Sequence, residues 1–158
     1  MKYKLSVVSY LNTIPFIYGL NQYELDKKLD ISLDIPSACA EKLLSKKVDI
    51  GLVPIVVLKQ LEDAQIISDY CIGANGAVDT VCLFSDVSFD TVEGILLDYQ
   101  SRTSVELLKI LLKEHWRISP KLIEANENYE TQISGKTAGL IIGDRTFYFH
   151  DKFKYAYD

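Results

Sequence analysis

Apolar and polar positions fall in blocks along this chain, and the blocks repeat in a strand-then-helix order. The run Leu5-Ser6-Val7-Val8 within Lys4 to Ser9 predicts a first strand, and Pro15 to Leu20 opens a helix. Leu29, Ile31, Leu33 and Ile35 alternate with polar residues and predict a second strand. Pro36-Ser37 then starts a helix from Ala38 to about Lys46, with Ser37 as its N-cap. Val48 to Val53 reads as a third strand, and Pro54 suits the first turn of a helix running to about Glu62. Ile66-Ile67, Cys71-Ile72 and Val78 to Phe84 read as extended segments.

After Ser85-Asp86 the pattern restarts. Gly94 to Asp98 is a strand, Tyr99 to Arg102 a polar turn, and a helix runs from Ser104 to about Trp116 with Val105, Leu108, Leu111 and Leu112 on one side. Thr103-Ser104-Val105-Glu106 matches a capping box at its start. Lys121 to Ile123 and Gly139 to Ile142 are further short strands. The alternation predicts an α/β fold with a good share of parallel strands. Two successive units predict two lobes, residues 1–85 and 86–158, with a ligand cleft between them.

Composition narrows the classes. With 48% hydrophobic and 25% charged residues, the 158-residue chain is that of a soluble globular protein. No long uncharged apolar stretch predicts a membrane span. The apolar run near the N-terminus is too short for a signal peptide and lacks a small-residue cleavage site, so a cytoplasmic address is expected. A net charge of −5 without a basic stripe disfavours nucleic acid as a partner. Cys39, Cys71 and Cys82 form no C-x-x-C pair, and with only His115 and His150 beside them they read as buried thiols in a reducing compartment rather than a zinc site. There is no G-x-G-x-x-G or Walker loop for a nucleotide cofactor.

The candidate chemistry sits at strand ends, where open α/β sheets bind ligands. Ser9-Tyr10-Leu11-Asn12-Thr13 follows the first strand, and its polar side chains are either a ligand wall or caps for the next helix. Asp98 to Ser104 combines a strand end, hydroxyls, Arg102 and the free N–H groups of a helix start, the parts that hold a carboxylate or phosphate. The competing reading makes Thr103 a cap and leaves Arg102 in solvent. Asn75-Gly76-Ala77-Val78-Asp79-Thr80 is a turn signal first and a candidate third site. Asp144, after the strand Gly139 to Ile142, either caps a turn or faces the cleft. No Ser-His-Asp arrangement is suggested, and both histidines read as structural or exposed.

Taken together, Val8 to Pro15, Tyr18-Gly19-Leu20, Val48 to Pro54, Cys71 to Val78, Leu97 to Ser104 and Ile141 to Asp144 resemble the chorismate dehydratase family of the futalosine pathway of menaquinone biosynthesis. The segments occur in the family's order over almost the whole chain. The resemblance implies a two-lobed fold like the type II periplasmic binding proteins. It also implies a hydro-lyase reaction, loss of water from chorismate to give 3-[(1-carboxyvinyl)oxy]benzoate, with no cofactor and no metal. It makes chorismate the small-molecule partner and leaves the oligomeric state open. It implies Asn12 as the catalytic asparagine of the Ser-Tyr-Leu-Asn motif. Ser9, Tyr10, Asn75, Gly76, Val78, Thr80, Ser101, Arg102, Thr103, Ser104 and Asp144 are the expected substrate-binding residues. With no evident protein base, the substrate's own enolpyruvyl carboxylate is the expected proton acceptor. Ala77 and Thr80 depart from a proline and a serine common in the family. The family continues past Asp158, so the chain is expected to be a truncated form with an incomplete first lobe. Two other readings stand beside this one: a non-catalytic cytoplasmic carboxylate sensor of the same fold, and the sister enzyme acting on cyclic dehypoxanthinyl futalosine. The sister family's Ser-Pro-Cys-Pro-Asn-type motif differs from Ser9 to Asn12.

Overall fold

Leu5, Ser6, Val7 and Val8 are buried in succession, which marks a strand covered on both faces. In the computed structural model, which describes residues 2–158 with the side chain of Asp26 outside the description, this segment is β1 (Tyr3–Val8) and lies at the centre of a three-stranded parallel sheet. On one side it pairs with β2 (Leu29–Asp34), in register from Tyr3 against Leu29 to Val8 against Asp34. On the other it pairs with β3, which is only Ile50–Gly51, set against Leu5 and Ser6. The expected strand from Val48 to Val53 is thus shortened. Leu43 crowds Gly51 closely enough that a Cβ there would lie 3.2 Å from it. Pro54, just beyond, has no N–H with which to extend the ladder.

The helices of this unit are α1 (Ile14–Gln22) and α2 (Pro36–Leu44), each with proline in its first turn. Ser37 is not the N-cap expected of it. Ile35 holds that position, because Pro36 already has helical geometry, and no side chain caps the helix. Ile55–Gln60 forms a 3-10 turn where a longer helix was expected. Ile66, Ile67 and Ile72 are exposed and join no strand of either sheet. Beneath the strand ends, the Asp34 carboxylate accepts from Ser6 at 2.7 Å, Ser32 at 2.8 Å and Lys42 at 2.6 Å. Burial would push this carboxyl up, but the hydrogen bonds from Lys42, Ser6 and Ser32 outweigh it and leave Asp34 below its ordinary value. Cys39, fully buried beside this cluster, has its thiol pushed up by burial.

The second unit is a five-stranded sheet in the order β6-β5-β7-β4-β8. Its strands are β4 (Val81–Ser85), β5 (Gly94–Leu97), β6 (Lys121–Glu124), β7 (Thr137–Ile142) and β8 (Tyr155–Tyr157). β5 is parallel to β6 and β7, whereas β4 runs antiparallel to β7 and β8. Because β4 belongs to this sheet, the compact units part after Gly73, ahead of the boundary read after residue 85. β8 was not read from the sequence. The core gathers Cys82, Phe84, Leu96, Tyr129, Ile133 and Ile141. Gly139 in β7 permits the tightest approach in it: a Cβ there would meet Ile133 Cδ1 at 2.3 Å and Cγ1 at 2.6 Å.

The helix expected from Ser104 to Trp116 begins at Thr103 as α3 (Thr103–Ile110) and continues as a π-helical stretch over Leu111–Trp116. Arg117 ends it in the left-handed region, at φ 54°. Among the described residues, no helix is long and apolar enough to cross a membrane.

Candidate functional site

In the first unit the polar segment lies where expected, at the carboxyl end of β1. The Ser9 N–H donates to the Asp34 carbonyl at 2.9 Å, which holds the turn against β2. Leu11–Thr13 then forms one 3-10 turn, closed by the Thr13 N–H on the Tyr10 carbonyl at 3.0 Å. Ser9 and Asn12 are exposed and Tyr10 is half-buried. None of them caps α1; Thr13 holds the N-cap position and makes no side-chain cap bond. Beside this turn a groove of about 350 Å³ runs over Val8, Ser9, Tyr10, Thr13, Ile17 and Leu33.

In the second unit the polar turn after β5 is built differently from the capping box. The Ser104 N–H donates to Ser101 Oγ at 3.0 Å, so Ser101 does the capping. Glu106 is engaged with Lys109 at 2.7 Å instead of reaching back to the helix start. Thr103 Oγ1 is buried without a partner. Ser101, Arg102, Thr103 and Ser104 are all half-buried, so the first turn of α3 is partly accessible although the Thr103 hydroxyl is not.

Asp98 is not part of an open anion pocket. It is buried at the end of β5 and fully engaged. Its Oδ1 accepts from the Gln100 N–H at 2.7 Å; its Oδ2 accepts from the Tyr129 hydroxyl at 2.8 Å, the Ile142 N–H at 3.2 Å and Arg145 Nη2. Arg145 also donates through Nη1 to Glu130 at 2.6 Å and lies over the ring of Tyr99. Burial works against the charged guanidinium, but Asp98 and Glu130, with Tyr129 beside them, raise its pKa above the ordinary arginine value. Burial, then the neighbouring Asp98 charge, pushes the Tyr129 hydroxyl far up. Sequence reasoning passed over Tyr129, Glu130 and Arg145. The available signal was Arg145, three residues past the end of β7, on the strand that neighbours β5 and its terminal Asp98.

Thr80 and Asp144 are brought together. The Gly143 N–H donates to the Thr80 carbonyl at 2.8 Å, and Asp144 follows at the start of a 3-10 turn, Gly143–Tyr148. Asn75 and Gly76 form an exposed turn, with Gly76 at φ 100°. The Val78 N–H donates to the Asp158 carboxylate at 2.9 Å, and the Asp79 N–H donates to the same group. With Asp79 at φ 59°, these successive amides form a concavity of the kind that holds anions. His150 is structural: it sits edge-on to Phe84 and its Nε2 lies 2.8 Å from the Asp79 carbonyl oxygen. Among the described residues, no three of His, Cys, Asp and Glu are grouped to hold a metal ion.

The geometry thus leaves two polar strand-end turns with accessible groups, one in each unit, and the comparison with known families bears on what they serve. The family model described as menaquinone biosynthesis matches residues 3–158. The chain belongs to that family. Its role therefore lies in menaquinone biosynthesis, as an enzyme of that pathway, and the match runs through both units and every site residue named above.

Proposed function

We propose that the chain has the fold and activity of a chorismate dehydratase, with the two-lobed architecture of the type II periplasmic binding proteins. The observation that carries this reading is the segment Ser9-Tyr10-Leu11-Asn12. It stands at the carboxyl end of β1, outside any capping role, with Asn12 exposed. In this reading Asn12 hydrogen-bonds the reacting region of chorismate. Ser101, Thr103 and Ser104, with Arg102, hold a carboxylate at the start of α3, where N–H groups and hydroxyls favour an anion. Asn75, Gly76, Val78, Thr80 and Asp144 complete the binding set.

The reaction is an elimination. The enolpyruvyl carboxylate of the substrate takes the proton from the ring carbon that bears the ether. The electron pair of that C–H bond enters the ring, the neighbouring bond from carbon to the hydroxyl breaks, and the departing hydroxyl takes up the proton held by the carboxyl group and leaves as water. Aromatisation drives the step, so the protein's task is orientation and charge stabilisation more than supply of a strong base.

The test is incubation of the protein with chorismate and chromatographic detection of 3-[(1-carboxyvinyl)oxy]benzoate. The expected result is turnover by the wild type and at least a tenfold loss in Asn12→Ala. Full turnover by Asn12→Ala overturns the Asn12 assignment. Binding of chorismate without product points to the sensor reading, and turnover of cyclic dehypoxanthinyl futalosine in its place identifies the sister activity.

A further inference from the structure

Among the described residues, two buried side-chain polar atoms have no hydrogen-bond partner, Thr13 Oγ1 and Thr103 Oγ1. Their positions correspond. Each follows the first parallel strand of its own unit, β1 or β5, and each stands at the start of the helix that comes next. An orphaned buried hydroxyl costs free energy, and native folds keep few of them. Thr103 already belongs to the expected binding set, and Thr13 does not.

Thr13 is the sharper case. Thr13 is 1% exposed, and a threonine in the N-cap position ordinarily spends its hydroxyl on the first free N–H groups of the helix. Here it does not. The same residue lines the groove of about 350 Å³ that runs beside Ser9 and Tyr10. The other walls of that groove are mostly apolar, including Val8, Ile14, Ile17 and Leu33, and Asn21 adds an amide. A concave, largely apolar surface with a few convergent polar groups is the general form of a small-molecule site.

We infer that this groove is a ligand site of the first unit and that Thr13 orients its ligand, a small cyclic carboxylic acid whose unsaturated ring lies on the apolar wall. The inference deepens the reading above and rests on it for the ligand class. Thr13 Oγ1 gives or takes a hydrogen bond with an oxygen substituent of the ring. Threonine at a helix start has two accessible χ1 rotamers, so the hydroxyl can turn onto that oxygen as the groove fills. Thr13 is in this sense a positioning residue, set beside the exposed Asn12.

The experiment is a titration of chorismate into protein with isotope-labelled threonine methyl groups, repeated as a binding measurement on Thr13→Val and Thr13→Ser. Valine keeps the shape and removes the orphan hydroxyl, so a residue with only a structural role gains or keeps stability and leaves affinity alone. The expected result is a saturable shift of the Thr13 methyl signal and about tenfold weaker binding by Thr13→Val. Its thermal midpoint is unchanged or raised, and Thr13→Ser restores affinity. Binding by Thr13→Val within about twofold of wild type overturns the inference, as does a loss of affinity that appears only with a lowered midpoint. If chorismate does not bind the wild type, the proposed function fails, and cyclohexenecarboxylate becomes the probe. A saturable Thr13 response to it supports the groove independently, and no response to either compound overturns it.

Discussion

The Tyr129 hydroxyl lies 2.8 Å from Asp98 Oδ2, joining the turn after β6 to the end of β5 inside the second unit. The Leu140 carbonyl is the alternative acceptor for the same proton. A hydrogen bond to a buried carboxylate is among the stronger ones in a protein, so Tyr129→Phe is expected to cost about 1.5–3 kcal/mol in urea unfolding.

The same tyrosine sets an alkaline limit. Its pKa is raised in the folded state, so its contribution to stability is complete below the ordinary tyrosine value of about 10 and is lost as pH rises beyond it. In an ultraviolet titration, one tyrosine of the wild type is expected to ionise only together with unfolding. That coupled step disappears in Tyr129→Phe.

Arg145 ties Asp98 to Glu130, and removing it strands two carboxylates. Breaking a fully buried pair costs about 3–5 kcal/mol, and Arg145 keeps 26% of its side chain exposed. Arg145→Met is therefore expected to lose about 2–3 kcal/mol in chemical denaturation. Arg145→Lys recovers part of this, because a single ammonium cannot reach both acids as the two arms of a guanidinium do.

Gly139 is fixed by contact. Alanine there drives a methyl into Ile133, and Gly139→Ala is expected to cost about 1–3 kcal/mol. Ile133→Ala costs stability alone through the cavity it leaves, but the double variant is expected to be more stable than the two single losses add up to. A double-mutant cycle of unfolding midpoints checks the coupling.

The first unit carries the acid-sensitive element. The folded pKa of Asp34 is lowered, so its contribution is present above the ordinary carboxylate value of about 3.9 and is lost as pH falls through that value to the lower folded one. The stability gap between wild type and Asp34→Asn is expected to close as pH falls from about 5 to 2 in urea titrations.

The order of strands and helices was legible because it rests on local periodicity: β1, β2, β5, β7, α1 and α2 stand within a few residues of their expected limits, and α3 begins one residue from its expected start. What escaped was set by partners distant in sequence. Val78 to Phe84 reads as an extended segment of the first unit, yet β4 within it is claimed by β7 and β8. Asp98 reads as the strand end of a candidate anion-holding segment; three of its four partners lie far along the chain in Tyr129, Ile142 and Arg145. Within the turns, Ser101 outcompeted Thr103 for the cap because its hydroxyl reaches the Ser104 N–H. The polar strand ends themselves were readable, since Ser, Asn and Thr directly after an apolar run leave a signal in any single sequence.

The three cysteines, read together as buried thiols, divide in the structure. Cys39 and Cys82 are buried and Cys71 is exposed. Burial pushes the Cys82 thiol up to about 11, which withholds the reactive thiolate at neutral pH, and Cys39 is shifted in the same direction. A maleimide added to the folded protein thus finds one position to react with. The chain carries its own attachment point for a fluorophore or spin label, near the end of the first unit, with no need to engineer a new cysteine.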